Sequence, residues 1–494
     1  MRQSEPKVFP TQHILTITVF ATLVYLLLYF VYTRFKKKDD LRLIEPQSRS
    51  KSLIVIFTLF AAFVIRILLS VLVEGHKTDI NCFTSWANTL YRSGFQDFYN
   101  GAMPDYPPGY MYVLRFMASI ATAVFGHGPR DQFGNYDLFY ITVIKLPAII
   151  ADLLASYFVY RIATKRYGFS QAFFLLALTA FNPLMIYISS GWGQIDQILT
   201  VFIVLAIYEL GKENAIIAGF LYGLSILLKP QALMVGPLFA VAYFCYVFEP
   251  IYIEKEKRNK EFIKRLGKTA AAVLVAVLML VLSALPFSRS DLPWYRLIHE
   301  KYLGTATSYD YASVNAYNIF TLFGKNWARV DQKSFIGLTL GQLGTIGMAY
   351  SVLLGCVIYI VGRKKNRGAM SLAAAFTFAS LFTLGHYMHE RYMFPVLLLL
   401  FAAYLYYDNK YLLYLAIAYT AFGMLNCLCA FYYSQYHQYY LYWDKGLILF
   451  GSICNVITFI ALKILCIYLV FIRRKEQEDG AGFAGGKTQN VLDR

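Results

Sequence analysis

Charge is scarce in this chain. Asp, Glu, Lys and Arg make up only 15% of its 494 residues, while 58% are hydrophobic, which excludes both an ordinary soluble domain and a disordered chain. Cysteine is scarce too: the seven are scattered, and Cys427 and Cys429 form only a CxC inside an apolar run, so neither a disulfide framework nor a zinc site is indicated. Acidic residues are outnumbered 29 to 46, giving a net charge of +17. Such a surplus speaks for nucleic acid only when it gathers on one binding face. Here the basic residues sit in short segments between apolar runs, so no nucleic-acid partner is expected. No internal repeat is visible. A cleavable signal of the usual form is also missing, because the first apolar run, Thr11 to Val31, has the length of a full span and ends in a basic cluster rather than in small residues.

What the chain has is apolar runs. A membrane span needs about 20 predominantly apolar residues, and such runs lie near 12–33, 52–73, 138–160, 170–190, 196–210, 215–228, 232–249, 269–287, 336–362, 369–385, 393–407, 411–433 and 446–472. The fold class expected is an all-α polytopic membrane protein of about 13 transmembrane helices. The stretch Tyr110 to Phe125 carries Arg115 and is short, so it is expected to lie at the interface. With that assignment the basic segments 34–51, 161–168, 211–214, 254–268, 363–367, 408–410 and 473–475 all fall on one side, which the positive-inside rule makes cytoplasmic. Counting 110–125 as a span would break the pattern. The other face receives residues 74–137, "GWGQID" (191–196), "KPQ" (229–231), 288–335 and "GHYMHERYM" (385–393). Polar groups at membrane depth are costly unless paired or facing a cavity, so their concentration there points to a site.

Asp79, in "HKTDINCFTSW", follows the second span closely enough for a lipid headgroup to reach it, and a carboxylate so placed can act as a general base. The plain alternative is a helix cap. Gln194 and Asp196 sit at a glycine-flanked turn, where an amide and an acid could bond sugar hydroxyls and Trp192 could offer a face to a sugar ring; a turn with a cap is the alternative. Lys229 lies at the outer end of a span, against the usual bias, with Gln231 beside it, although snorkelling would also place it there. His386, His389, Glu390 and Arg391 crowd into six residues, and Arg391 with the histidines could hold a phosphate. The HxxHE order exchanges two positions of the inverted zinc-protease pattern and no third ligand is evident, so no metal is expected. The segment "SYDYASVNAYNIFTLFG", with Asp310, Asn315 and Asn318, interleaves aromatics with amides in the manner of a carbohydrate or interfacial surface.

Together these motifs resemble a family. "DINCFTSW…GFQDFY…DYPPGY" is similar to the first luminal loop of GT-C glycosyltransferases, in particular the dolichyl-phosphate-glucose-dependent glucosyltransferases of asparagine-linked glycosylation: an acid, Asp79, a tryptophan seven residues later, Trp86, then Asp105-Tyr106-Pro107-Pro108. "GWGQID", "KPQAL", "SVNAYNIF" and "HER" follow in the family's order, and "GWGQID", "KPQAL" and "HERYMFP" look closer still to the GPI-anchor second mannosyltransferase and its prokaryotic relatives. The resemblance runs over roughly residues 50 to 430. It departs from the glucosyltransferases in an extra N-terminal span, 12–33, and in Arg391 where they carry lysine.

The resemblance implies a GT-C-like bundle and inverting transfer of mannose or glucose from a polyprenyl-phosphate sugar to a lipid-linked glycan or other glycoconjugate, without a cofactor. By position, Asp79 becomes the base, while Lys229, His389 and Arg391 bind the donor phosphate. Trp86, Asp105, Tyr106, Gln194, Asp196, Gln231 and Glu390 position substrate. The expected organisation is an extra span and basic loop over 1–51, a catalytic module over 52–433, a C-terminal span over 434–475 and a disordered tail over 476–494. The expected location is a multi-pass one in a bacterial cell membrane, since "QNVLDR" carries no evident retrieval signal, with the endoplasmic reticulum as the alternative. A transporter or flippase of lipid-linked sugars is the competing function. It would place its polar groups near the membrane midplane, often in repeated halves.

Overall fold

A computed structural model describes residues 11–39, 48–100, 104–129, 137–249, 255–304, 310–435 and 445–472. The expected tail at 476–494 lies outside the described residues. The helices are α1 (Thr11–Asp39), α2 (Arg49–Leu72), α3 (Lys77–Ser93), α4 (Pro108–Phe125), α5 (Leu138–Ala163), α6 (Phe169–Ala180), α7 (Pro183–Ile186), α8 (Asp196–Gly211), α9 (Ala215–Leu228), α10 (Gly236–Phe248), α11 (Lys255–Ala284), α12 (Trp294–Tyr302), α13 (Ile319–Leu322), α14 (Leu340–Gly362), α15 (Ala369–Leu384), α16 (Pro395–Tyr407), α17 (Lys410–Gln435) and α18 (Lys445–Ile467). Every apolar run read from the sequence is helical. Among the described residues, eight helical segments are long and apolar enough to cross a membrane, and α6 with α7 and the turn after it makes a ninth, bent by 41°. The chain is an all-α polytopic membrane protein.

Local chemistry sets the boundaries. Asp137 caps α5 by accepting from the Phe139 and Tyr140 amides, and Thr339 and Gln342 close a reciprocal capping box on α14. The bend between α6 and α7 falls at Asn182-Pro183. Proline brings no amide and disfavours helical backbone in the residue before it, while the Asn182 side chain accepts from the Leu184 and Met185 amides and restarts the helix. α7 then widens into a π-helical turn, Tyr187–Trp192, which stops at Gly193 with a left-handed φ of 88°.

Helix length explains where the polar turns sit. At 1.5 Å per residue, the 14 residues of α9 and the 13 of α16 reach only about 20 Å, against a hydrocarbon core of about 30 Å. α15 is buried at every residue from Ala369 to Thr383. The segments beyond these short helices are therefore drawn into the bundle: Lys229 is 5% exposed and Glu390 4%. Other basic residues are paired away from these turns: Arg265 of α11 pairs with Glu213, Glu249 and Glu261, and Arg363 after α14 pairs with Glu249.

The two non-cytoplasmic loops expected from the sequence are ordered differently. In the first, α3 and α4 pack on each other and on α5, α4 being the helix expected at the interface. In the second, strand β1 (Ser313–Val314) pairs in parallel with β2 (Met388–His389), in register Ser313 to Met388 and Val314 to His389.

Candidate functional site

The segments singled out in the sequence converge at one end of the bundle. α3 begins at Lys77 with His76 at its N-cap and no side-chain capping bond, so Asp79 is not the cap. Its carboxylate is instead turned across to the π turn. Oδ2 accepts from the Trp192 indole Nε1 at 2.6 Å and from the Gln194 amide Nε2 at 2.7 Å. The same oxygen lies 3.7 Å from Arg391 Nη2 and 3.7 Å from His76 Nδ1. Among the described residues Oδ1 takes no hydrogen bond. One carboxylate oxygen is fixed and the other is left open.

Gln194 is itself held in one orientation. Its Oε1 accepts from the Tyr106 hydroxyl at 2.9 Å and from the Ile195 amide, so its nitrogen is the atom that meets Asp79. Tyr106 packs against Phe83, Tyr110 and Trp86, with Trp86 5.8 Å away centroid to centroid. The seven-residue spacing from Asp79 to Trp86 thus has a physical content. Two turns of α3 put the acid at the site and the indole in the aromatic wall behind Tyr106. Trp86 is 8% exposed and serves as packing there. Trp192 presents no open face to a sugar, contrary to expectation: it is fully buried, the His76 ring stacks on it at 4.5 Å and 3°, and the Arg391 guanidinium lies 5.4 Å from its centroid. Gly75, φ 122°, makes this close docking possible, because a Cβ there would sit 2.8 Å from the Trp192 carbonyl.

A second layer carries the cations. Asp196, first residue of α8, accepts from Lys229 Nζ at 2.7 Å through Oδ1 and faces Arg391 Nε at 3.6 Å through Oδ2. Arg391 Nη1 meets Glu390 Oε1 at 2.5 Å. Gln231 donates to the Tyr392 carbonyl at 3.1 Å, holding the Glu390–Arg391 turn from the side of α10. His389 is tied through its backbone to β1 and by a bridge to Asn315, and its ring lies 5.0 Å from that of Tyr392. His386 turns away to Thr345 of α14, 3.2 Å off, and Asp105 lies exposed at the rim.

The second loop builds the turn from outside. Asn315, Trp327 and Tyr387 all adopt left-handed φ, at 58°, 57° and 64°. Such backbone costs about 1–3 kcal/mol per non-glycine residue and persists where the surroundings dictate it. Here Asn315 Oδ1 accepts from the Trp327 indole and the Asn326 amide, while Asn426 Nδ2 donates to the Asn315 carbonyl. The Asn-rich segment therefore acts as scaffold for the His389–Arg391 turn.

Burial opposes ionisation of Asp79, but Arg391, His76 and the bonds from Gln194 and Trp192 outweigh it and hold its carboxyl below the usual range. Burial lowers His76 to about 4, against the pull of Asp79, and burial together with Arg391 lowers His389 to about 3. At neutral pH both imidazoles are therefore neutral, and Asp79, Asp196 and Glu390 lie within 4 Å of Lys229 or Arg391. No group of three or more metal-competent side chains occurs among the described residues.

This end of the bundle is built largely from the segment that begins just before Asp105. Residues 103–300 match the ALG6, ALG8 glycosyltransferase family. Tyr106, Gln194, Asp196, Lys229 and Gln231 fall inside the ALG6, ALG8 match, whereas Asp79 and the His389–Arg391 turn lie outside it. The chain is also similar to GPI mannosyltransferase 1 of Debaryomyces hansenii, 33% identical over 132 residues, which is 26% of this chain and 30% of the relative. GPI mannosyltransferase 1 of Kluyveromyces lactis is 24% identical over 143 residues, 29% of this chain and 33% of the relative. The matched part of the chain thus spans about a third of the length of these curated relatives. The motifs resembled the second GPI mannosyltransferase; these relatives carry the name of the first. Together the similarities support a membrane glycosyltransferase of the GT-C superfamily.

Proposed function

We propose that the chain transfers a hexose, mannose in preference to glucose, from a polyprenyl-phosphate sugar to a hydroxyl of a lipid-linked glycan or other glycoconjugate, with inversion, on the non-cytoplasmic face of its membrane. The observation that carries the reading is Asp79, with Oδ2 fixed by Trp192 and Gln194, Oδ1 open, and Arg391 alongside. As the acceptor oxygen attacks the anomeric carbon, the bond from that carbon to the phosphate oxygen breaks and its electron pair leaves with the phosphate. The acceptor proton passes to Asp79 Oδ1. Lys229 and Arg391 stabilise the charge that develops on the departing phosphate, and neutral His389 can donate a hydrogen bond to it. Asp105, at the rim, and Asp196 and Glu390, against the cations, position substrate or its binders.

A carboxylate held below its ordinary pKa is a weak base, which would be a poor arrangement if Asp79 always saw Arg391 undivided. A donor phosphate shares that guanidinium, relieves part of its pull on Asp79 and raises its basicity when substrate is in place. The two histidines stay out of the proton transfer. Asp79 is ionised and His76 and His389 are neutral above their lowered values of about 4 and 3. The pH profile of kcat/KM is thus expected to be flat from about pH 8 to about pH 5. An inflection near 6.5, the ordinary histidine value, would give the proton to a histidine instead.

The decisive assay supplies radiolabelled dolichyl-phosphate mannose or GDP-mannose to the purified chain with a total microsomal lipid extract as acceptor. Label is expected in a new glycolipid from the dolichyl donor alone. Label taken directly from GDP-mannose, or from neither donor, sinks the reading. Both curated relatives come from eukaryotes, which moves the expected location from a bacterial cell membrane to the alternative, the endoplasmic reticulum.

A further inference from the structure

One charged residue near the site has no part in the proposed chemistry. Lys145 lies inside α5, 1% exposed, in an otherwise apolar stretch, "ITVIKLPAII". A buried ammonium is costly unless its protons are satisfied, and an aliphatic side chain would fill the same volume without that cost. Its Nζ donates to two backbone carbonyls, Val73 at 2.8 Å and Ser190 at 2.8 Å. Both lie where a helical segment ends or is about to end. Val73 is the C-cap of α2, and Ser190 lies in the π turn, where the Gly193 and Gln194 amides fold back together onto the Ile188 carbonyl.

The place of those two carbonyls gives the lysine its meaning. Val73 is six residues before Asp79, and Ser190 is two before Trp192 and four before Gln194. Lys145 thus ties together the two strands of chain that must lie side by side for the indole and the amide to reach one carboxylate oxygen. Its neighbours are shaped for it: Gly193 keeps the space beside the lysine stem clear, since a Cβ there would stand 3.0 Å from Lys145 Cε and 2.6 Å from Ile80 Cδ1. A backbone bond from the His76 amide to the Trp192 carbonyl, 3.1 Å, closes the same joint from the other side.

We propose that Lys145 is a positioning residue for the candidate site: a hydrogen-bonded clip between the end of α2 and the π turn that sets the separation at which Trp192 and Gln194 fix Asp79. Its consequence for transfer rests on Asp79 acting as the base; the clip itself does not. The test therefore reads the joint without an activity assay. The chain has five tryptophans, Trp86, Trp192, Trp294, Trp327 and Trp443, so indole-¹⁵N labelling of the full-length protein in lipid nanodiscs gives a spectrum with five side-chain signals.

The Trp192 signal, identified by its loss in Trp192→Phe, is expected far downfield because its proton lies in a short bond to a carboxylate. In Lys145→Met it is expected to move upfield, in the direction set by Asp79→Asn, while the other four hold their positions. An unmoved Trp192 signal overturns the proposal. So does a shift of all five, which would make the lysine a support of the bundle at large. Should Lys145→Met not fold, Lys145→Arg, which keeps N–H donors but displaces them, is read the same way: Trp192 moves alone or the proposal falls. Sugar transfer does not enter the measurement, so its result stands apart from the reading of the site.

Discussion

Asp79→Asn is expected to lower sugar transfer by about 10²- to 10⁴-fold, the usual contribution of a positioned base, while the protein folds and purifies as the parent does. The geometry makes this substitution unusually clean. Both donors, Trp192 Nε1 and Gln194 Nε2, meet the same oxygen, Oδ2. An asparagine can place its carbonyl oxygen there, keep both bonds and put its NH₂ group where Oδ1 stood. The open atom then donates instead of accepting, and it can no longer take a proton. Asp79→Ala is a poorer probe, since it strands an indole and an amide in a largely buried site at about 1–3 kcal/mol for each unsatisfied group. The assay is the dolichyl-phosphate-mannose transfer described above, run per mole of monodisperse protein. Asp79→Asn with more than about a tenth of parental turnover removes Asp79 from the role of base, given the range expected for that role.

The sequence carried the bundle and the cast of the site, but little of who touches whom. Each of the thirteen apolar runs marked a helical segment, because lipid-facing and core-facing residues alike must be apolar and the length of a run is then a direct physical signal. The bend at 181–183 escaped that reading, although Asn182-Pro183 was there to be read as a breaker, because hydropathy does not register a missing amide. Within the site, Asp79, Tyr106, Gln194, Lys229 and Arg391 stood out as polar residues at one end of the spans. Their pairing did not, since Asp79 and its donors are separated by 113 and 115 residues and no local pattern encodes such a contact. Trp192 was read as a possible sugar face or part of a plain turn, whereas its indole nitrogen is the atom that meets Asp79. His76, unassigned in the sequence, stacks on it. Lys145, Arg66 and Asp152 were overlooked altogether. The signal was a charge inside an apolar run, which in a membrane protein is enough to ask for a partner.

Asp152→Leu is expected to be the most destabilising of the substitutions considered. Asp152 of α5 and Arg66 of α2 are both fully buried, with Arg66 Nε 3.1 Å from Asp152 Oδ2. Removing one member of such a pair leaves an uncompensated charge and costs about 3–5 kcal/mol, a large share of the roughly 5–15 kcal/mol that a folded domain commands. The double variant Arg66→Leu/Asp152→Leu is expected to recover part of that loss, because the stranded charge is gone. It should not recover all of it. The Arg66 Nη1 group also donates to the Ala180 carbonyl at 2.8 Å. Ala180 ends α6, and the Leu184 amide that would otherwise satisfy its carbonyl is taken by the Asn182 side chain. Arg66 therefore closes the C-terminus of α6 at the bend from which the Trp192 turn springs, and losing it costs a helix cap as well as a charge pair. Thermal unfolding followed by size exclusion in detergent should rank the parent first, the double variant second and Asp152→Leu last. A double variant as unstable as the single one would mean that Arg66 serves chiefly as that cap, and a single variant as stable as the parent would mean that the pair contributes nothing to the bundle.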